Sequence, residues 1–261
     1  MQSRDRFFAA LRAGALHLLI SVAVMSIVAA LIFGLWYRPP FNQVQGGFSL
    51  FVLVAAVDVI CGPLLTIVIW SPQKTRAELF RDVSVIVLIQ VGALVYGLQA
   101  VALARPVYVV YERDRFRVVS VADLRDADLA AAPQGMQSYS WTGPKVIGVE
   151  LYSGSHPKFL ESVQFSLAGV YPAYQPSRWL NYEAVQRDVA ERAHSIRNAI
   201  DKELIDEDHV ASLSKTSGVP HEHMGYLPLN GFIDSDWSVV VDRRSGRMLG
   251  YLPFNGWLLS K

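Results

Sequence analysis

The sequence predicts a membrane protein: three transmembrane α-helices followed by a single α+β periplasmic domain with β-hairpins and one long amphipathic helix. Three observations predict it. Long apolar runs are confined to residues 1–104, basic residues cluster in alternate short loops between them, and β-branched alternation broken by turn residues begins at 105. Overall 52 % of the chain is hydrophobic and 18 % charged, against roughly a quarter charged in soluble domains. Residues 1–104 carry seven Lys/Arg and four Asp/Glu, and residues 105–261 carry 17 and 19. A near-neutral soluble half with no basic block argues against nucleic acid as a partner.

The spans run over about 14–37, 48–70 and 83–104. Each exceeds the roughly 20 residues needed to cross the hydrocarbon core. The first is too long for a signal-peptide core and has no small-residue cleavage site before Trp36-Tyr37-Arg38, so it reads as a retained anchor. Arg4, Arg6 and Arg12 precede the first span, and Lys74, Arg76 and Arg81 separate the second from the third, whereas the loop between the first two has only Arg38. The positive-inside rule therefore puts the N-terminus in the cytoplasm, and three crossings put the C-terminal domain outside. In a bacterium that is the inner membrane with a periplasmic domain at 105–261. Trp36, Tyr37, Phe48 and Trp70 fit interfacial aromatic belts.

The second span carries Asp58 near its middle, then Gly62 and Pro63. An intramembrane aspartate is costly unless protonated or paired, so it should face a neighbouring helix. Pro63 lacks an amide donor and should strand the carbonyl of Val59 and kink the helix. Depth matching offers Ser26 and Tyr96 near Asp58, with Gln90 about a turn away. Two readings stand: Asp58 and Gln90 staple the bundle, or Asp58 receives a polar group from another membrane protein. A proton relay would need further ionisable groups, and only His17 is available. In the third span, Ala93-x-x-x-Gly97 is a small-xxx-small pair suited to internal packing or to a partner helix.

In the soluble half, Val107–Tyr111 and Phe116–Ser120 flank Glu112–Arg115 as a hairpin, beginning with almost no linker after Arg105-Pro106. Val121–Ala132 is weakly helical, Lys145–Tyr152 reads as a strand, and 153–177 as irregular loop. Ser177–Ile205 has apolar residues at three- and four-residue steps and reads as the long helix. Trp237–Val241 and Met248–Tyr251 form a hairpin about Asp242–Gly246. Around it Gly225-Tyr-Leu-Pro-Leu-Asn-Gly-Phe232 recurs as Gly250-Tyr-Leu-Pro-Phe-Asn-Gly-Trp257. Each copy should end a strand and turn; Tyr226, Phe232, Tyr251 and Trp257 could instead form an exposed aromatic edge for a partner strand.

His221-Glu222-His223, with His194 and His209, lacks the spacing of a zinc site. With Cys61 as the single cysteine, no intramolecular disulfide or cysteine cluster can form. No phosphate loop, nucleophile elbow or catalytic carboxylate pair is present, so no cofactor or enzymatic chemistry is expected.

Taken in order, several segments resemble the TfpX/TfpZ group of type IV pilin accessory proteins. They are the basic N-terminus before His17–Ser21, Trp36-Tyr37 with Pro39, and Val57-Asp58-Val59-x-x-Gly62-Pro63-Leu64-Leu65-Thr66. They continue through Asp82-x-Ser-Val-Ile86, Leu88-x-Gln90, Tyr96-Gly97, Ala104–Tyr108 and Asp114-Arg115-Phe116. The resemblance covers about residues 12–120 and implies a small inner-membrane protein acting with a cognate major pilin, assisting its stability, assembly or dynamics, and not an enzyme. A pilin before assembly is held by one apolar helix, with its head in the periplasm; it would meet both the bundle and the outer domain. Asp58 lies too deep for the pilin amino terminus and is better suited to helix packing. The competing classes are a periplasmic sensor module, whose cytoplasmic segments are too short for an output, and a cell-envelope enzyme.

Overall fold

The structure, a computed structural model, describes residues 2–71, 73–233 and 236–259. The chain divides into two compact units: residues 1–35 with 47–103, and residues 36–46 with 104–261.

The first unit holds three helices long and apolar enough to cross a membrane: Phe7–Trp36, Gly47–Ile69 and Arg76–Ala104. At 1.5 Å per residue, even the shortest, 23 residues, spans about 34 Å. The first is α1 (Gln2–Leu31), finishing in a π-turn at Ile32–Trp36. The second comprises α3 (Gly47–Ala56), a π-turn (Val57–Cys61) and α4 (Gly62–Ile69); the third is α5 (Arg76–Ala104). Their burial is inverted relative to a soluble bundle. Leu19, Ile27, Leu53, Val68 and Leu88 face outward, while Ser21, Asp58 and Thr66 are buried. Lipid removes the penalty for exposed apolar side chains and imposes one on exposed polar groups.

The second unit is an α+β domain. Its sheet runs β4 (Trp179–Asn181), β3 (Lys145–Val149), β1 (Pro106–Tyr111), β2 (Phe116–Ser120), β6 (Met224–Asn230), β7 (Trp237–Asp242), β8 (Met248–Leu252), and β5 (His194–Ser195) also pairs with β6. The pairs β1–β3 and β2–β6 are parallel and the rest antiparallel. Both expected hairpins form, β1–β2 and β7–β8. Every residue of β1 is buried, as expected of a strand covered on both faces. Val109 and Tyr111 enter one core with Phe116, Val118, Leu227, Leu229 and Val239. Tyr108 and Val110 enter another with Leu129, Ile147 and Trp179.

The loop between the first two spans belongs to this domain. It contains α2 (Phe41–Val44), whose Phe41 and Val44 are buried in the same core as Val109 and Leu229. Phe41 meets Tyr251 edge-on at 5.3 Å, and Trp237 Nε1 donates to Gln43 Oε1 at 3.2 Å.

Two expectations are corrected. The segment 153–177 is not all irregular; it contains α7 (Phe159–Leu167). Nor is Ser177–Ile205 one long helix. It breaks into β4, α8 (Gln186–Arg192), β5 and α9 (Ile196–Asp201), with a 3-10 turn (Tyr182–Ala184) between β4 and α8. The apolar positions that suggested one stripe serve three separate cores: Trp179 the second, Val185 and Val189 the first, and Ile196, with Ile200 packed against it, a third with Met224 and Val240. Pairing of His194 and Ser195 with Tyr226 and Gly225 interrupts the helix where the chain crosses between cores. Tertiary pairing here outweighs local propensity. Elsewhere, Val121–Ala132 is a 3-10 turn (Val121–Asp123), capped by the reciprocal Ser120–Asp123 box, followed by α6 (Asp126–Leu129). The last helix, α10 (Glu207–Ser217), ends in Gly218 at φ +71°.

Candidate functional site: a polar seam and a groove among the apolar helices

The second span departs from α-geometry at Asp58. In the π-turn Val57–Cys61 a carbonyl looks five residues onward. For Asp58 that residue is Pro63, which has no N–H. The carbonyl of Asp58 is satisfied instead from the third span: Gln90 Nε2 donates to it at 3.1 Å. The carbonyl that Gln90 reaches is thus one residue before that of Val59. Gly62 makes this approach possible, because a Cβ there would lie 2.2 Å from Gln90 Nε2.

Asp58, Gly62 and Thr66 are spaced four apart on one helix face, and all three are buried. Asp58 retains 8 % exposure. Thr66 Oγ1 donates to the Gly62 carbonyl at 2.9 Å and lies 2.6 Å from His17 Nδ1 of the first span. One polar seam therefore joins all three helices. Ser26 is not part of it; its hydroxyl donates to the Val22 carbonyl at 2.7 Å.

Beside the seam, a cavity of about 270 Å³ opens between the second and third spans. Leu53, Val54, Val57, Ala93, Tyr96, Gly97 and Ala100 line it, and Asp58 lies in its wall. The small pair divides its duties. A Cβ on Gly97 would stand 2.5 Å from Val54 Cγ2, so Gly97 lets the two spans touch. Ala93 and Tyr96 are exposed along the groove.

The aromatic residues of the repeat do not share a surface. Tyr226 is fully buried, edge-on to Phe254 at 5.0 Å and 5.6 Å from the His194 ring. Burial pushes its hydroxyl up to about 12. Tyr251 packs on Phe41, and burial raises its hydroxyl as well. Trp257 lies under the Arg115 guanidinium at 4.4 Å and donates to Asn230 Oδ1 at 3.2 Å. Phe232 alone is freely exposed, at 85 %. The exposed aromatic edge therefore does not form. The copies also differ: the first continues in strand through Asn230, whereas the second leaves the sheet after Leu252. Pro228 is tolerated in a central strand because it falls between the positions paired with β5 and those paired with β2.

Glu112, a turn residue by sequence pattern, has a role that the sequence does not signal. It is buried: Oε2 accepts from Arg117 Nε at 2.8 Å and Oε1 from the Ala173 amide at 2.9 Å. Arg117 stacks over Tyr171 at 4.0 Å. Only Arg117, a charged residue two places past the expected turn in an otherwise apolar strand, hinted at this pair. Among the described residues, no three His, Cys, Asp or Glu side chains converge as a metal site. His221 is exposed in a 3-10 turn, and His209 Nδ1 faces Asp206 at 3.9 Å.

Comparison with known proteins places this architecture. The family model described as fimbrial assembly protein FimB matches residues 5–46, the first apolar helix and the loop built into the second unit. The fimbrial assembly protein of Dichelobacter nodosus serogroup I is 31 % identical over 92 % of this chain and 94 % of its own length. That of serogroup E1 is 30 % identical over the same shares. That of serogroups C1 and C2 is 42 % identical over 47 % of this chain and 93 % of its own length. No solved structure matches. With near-complete coverage by relatives of this kind, the chain belongs to the FimB family of fimbrial assembly proteins, membrane proteins of fimbrial biogenesis.

Proposed function

We propose that this protein is an inner-membrane accessory factor of type IV fimbriae, of the TfpX/TfpZ kind. It receives the apolar helix of a cognate major pilin in the groove between its second and third spans. The observation that carries this reading is a lipid-accessible groove walled by Ala93, Gly97 and Ala100, with a buried polar group at Asp58. Small residues let a second helix backbone approach closely, and in lipid such packing is a main source of helix association. The polar seam keeps the groove in shape by fixing the second and third spans through Gln90 and Gly62.

The orientation proposed is N-terminus cytoplasmic and C-terminal domain periplasmic. Two observations support it. Lys74 lies just before the third helix, and Arg76 and Arg81 lie in its first turns, on the side of the N-terminus. The loop 36–46 clusters with residues 104–261 in one compact unit, as the two crossings between them require of segments on the same side. A pilin head in the periplasm would then face this domain while its helix lies in the membrane.

The test is site-specific photo-crosslinking in cells that express the cognate pilin. A crosslinker at Ala93 or Tyr96 should capture pilin, and one at the lipid-facing Leu88, outside the groove, should capture markedly less. Equal capture at all three sites, or none from the groove, overturns the assignment.

A further inference from the structure

The second unit presents three exposed apolar side chains at one end of its sheet: Trp141, Phe232 and Ile233, at 67 %, 85 % and 63 % exposure. The topology fixes which end this is. β1 opens at Pro106, two residues after the third span closes at Ala104. β3 is parallel to β1, so the segment before Lys145, with Trp141, lies at the end where β1 begins. β6 is parallel to β2, and β2 returns toward Pro106, so the loop after Asn230, with Phe232 and Ile233, points to that same end.

Contacts tie both loops to residues that peptide bonds join to the apolar helices. The Arg105 guanidinium meets both the Trp36 ring, at 5.2 Å, and the Trp141 ring, at 4.8 Å. The Ile233 amide donates to the Val44 carbonyl at 3.1 Å, and the Phe232 amide to Gln45 Oε1 at 2.8 Å. Ile233 Cδ1 also sits 2.1 Å from where a Gly46 Cβ would be, one residue before the second span begins at Gly47. Each exposed side chain is thus held within a residue or two of a point where the chain leaves the apolar helices.

We propose that Trp141, Phe232 and Ile233 enter the headgroup–acyl boundary of the bilayer, so that this end of the domain is seated on lipid. Aromatic side chains flanked by a cation suit that layer, where an apolar ring is buried while polar tips stay hydrated. Lipid is the occupant because these residues are anchored to the span ends themselves; a partner protein would need no such anchoring. The proposal rests on the three helices crossing a bilayer.

The single cysteine makes the test direct. An environment-sensitive fluorophore is attached to three single-cysteine forms of the full chain in phosphatidylethanolamine–phosphatidylglycerol vesicles without any other protein. The forms are native Cys61, Phe232→Cys with Cys61→Ser, and Arg244→Cys with Cys61→Ser. Cys61 is an exposed residue of the second span. Arg244 lies in the turn at the far end of β7, about 20 Å along the strand from Trp237. Doxyl lipid should quench the label at 232 several-fold more than that at 244, and aqueous iodide should show the reverse order. A label at 232 that behaves like 244 while that at 61 is quenched by lipid overturns the seating and leaves the spans intact. A label at 61 open to iodide overturns the spanning reading and the seating with it. The Phe232 side chain is 85 % exposed and its hydrogen bond to Gln45 comes from the backbone amide, which the substitution keeps.

Discussion

Replacing Glu112 by alanine removes the carboxylate that pairs with Arg117 and accepts from the Ala173 amide. The Arg117 guanidinium is buried beside it, with side-chain exposures of 11 % and 8 % for the pair, and the Ala173 amide also donates to Glu112. Removing one partner of a buried ion pair costs about 3–5 kcal/mol, because the remaining charge stays desolvated. The orphaned amide falls within the same loss, since both groups relax together. For a domain of this size each kcal/mol lowers the midpoint by about 2–4 °C, so Glu112→Ala should lower that of the soluble unit by about 6–20 °C. E112Q keeps an acceptor for the Ala173 amide and should cost clearly less. The double variant E112L/R117M removes both charges and should lie within about 1–2 kcal/mol of the wild type, as apolar replacement of buried pairs often does. The assay is thermal unfolding of the detergent-solubilised full chain, followed by the fluorescence of tryptophans such as the buried Trp179, with hydrogen exchange at residues 171–175. If Glu112→Ala melts with the wild type, or the double variant is as weak as the single, the pair does not hold the 171–175 segment and the reasoning fails.

Three further outcomes are expected. Gln90→Leu removes the donor to the Asp58 carbonyl and should destabilise the helix bundle by about 1 kcal/mol, read as faster proteolysis in membranes; Gln90→Glu in its protonated form should restore most of it, and no difference between the two sinks the role of the donor. Gly97→Leu drives a side chain into Val54, which lies 2.5 Å from the Cβ position; overpacking of about 1–3 kcal/mol should lower protein accumulation, whereas Gly92→Leu, with nothing within 4 Å, should not. Tyr226 is neutral in the folded domain and its hydroxyl is raised to about 12. Stability tied to it is therefore complete below pH ~10, the unfolded value, and is lost as pH rises toward 12; a soluble unit equally stable at pH 9 and 11.5, measured with Tyr226→Phe as control, would contradict this.

The readable parts of this chain were those governed by local physics. An apolar run of twenty or more residues is a span wherever it occurs, because backbone satisfaction in lipid leaves only the helix. A short run of β-branched residues about a Gly-bearing turn is a hairpin, as β7–β8 shows. Asp58, Gly62, Pro63 and Gln90 stood out by their cost or rarity in a membrane, and the structure brings all four to one place. The long helix over 177–205 failed for a physical reason. Three-to-four-residue spacing reports burial, not the surface against which each residue is buried, and here the stripe is shared among three cores.

By itself, then, the sequence determined how many helices could cross the membrane, where the basic loops fall, and which residues inside the spans were expensive enough to need a neighbour. Only the tertiary structure decided which carbonyl ahead of Pro63 takes the Gln90 amide, that Gly97 serves Val54 while Ala93 faces the groove, that Glu112 is a buried acceptor, and that the loop 36–46 belongs to the α+β unit. The division follows from range. Hydrophobic length and turn chemistry act between neighbours in sequence, whereas partners such as Gln90 with Asp58, or Ala173 with Glu112, are separated by tens of residues and are chosen only when the helices and strands have packed.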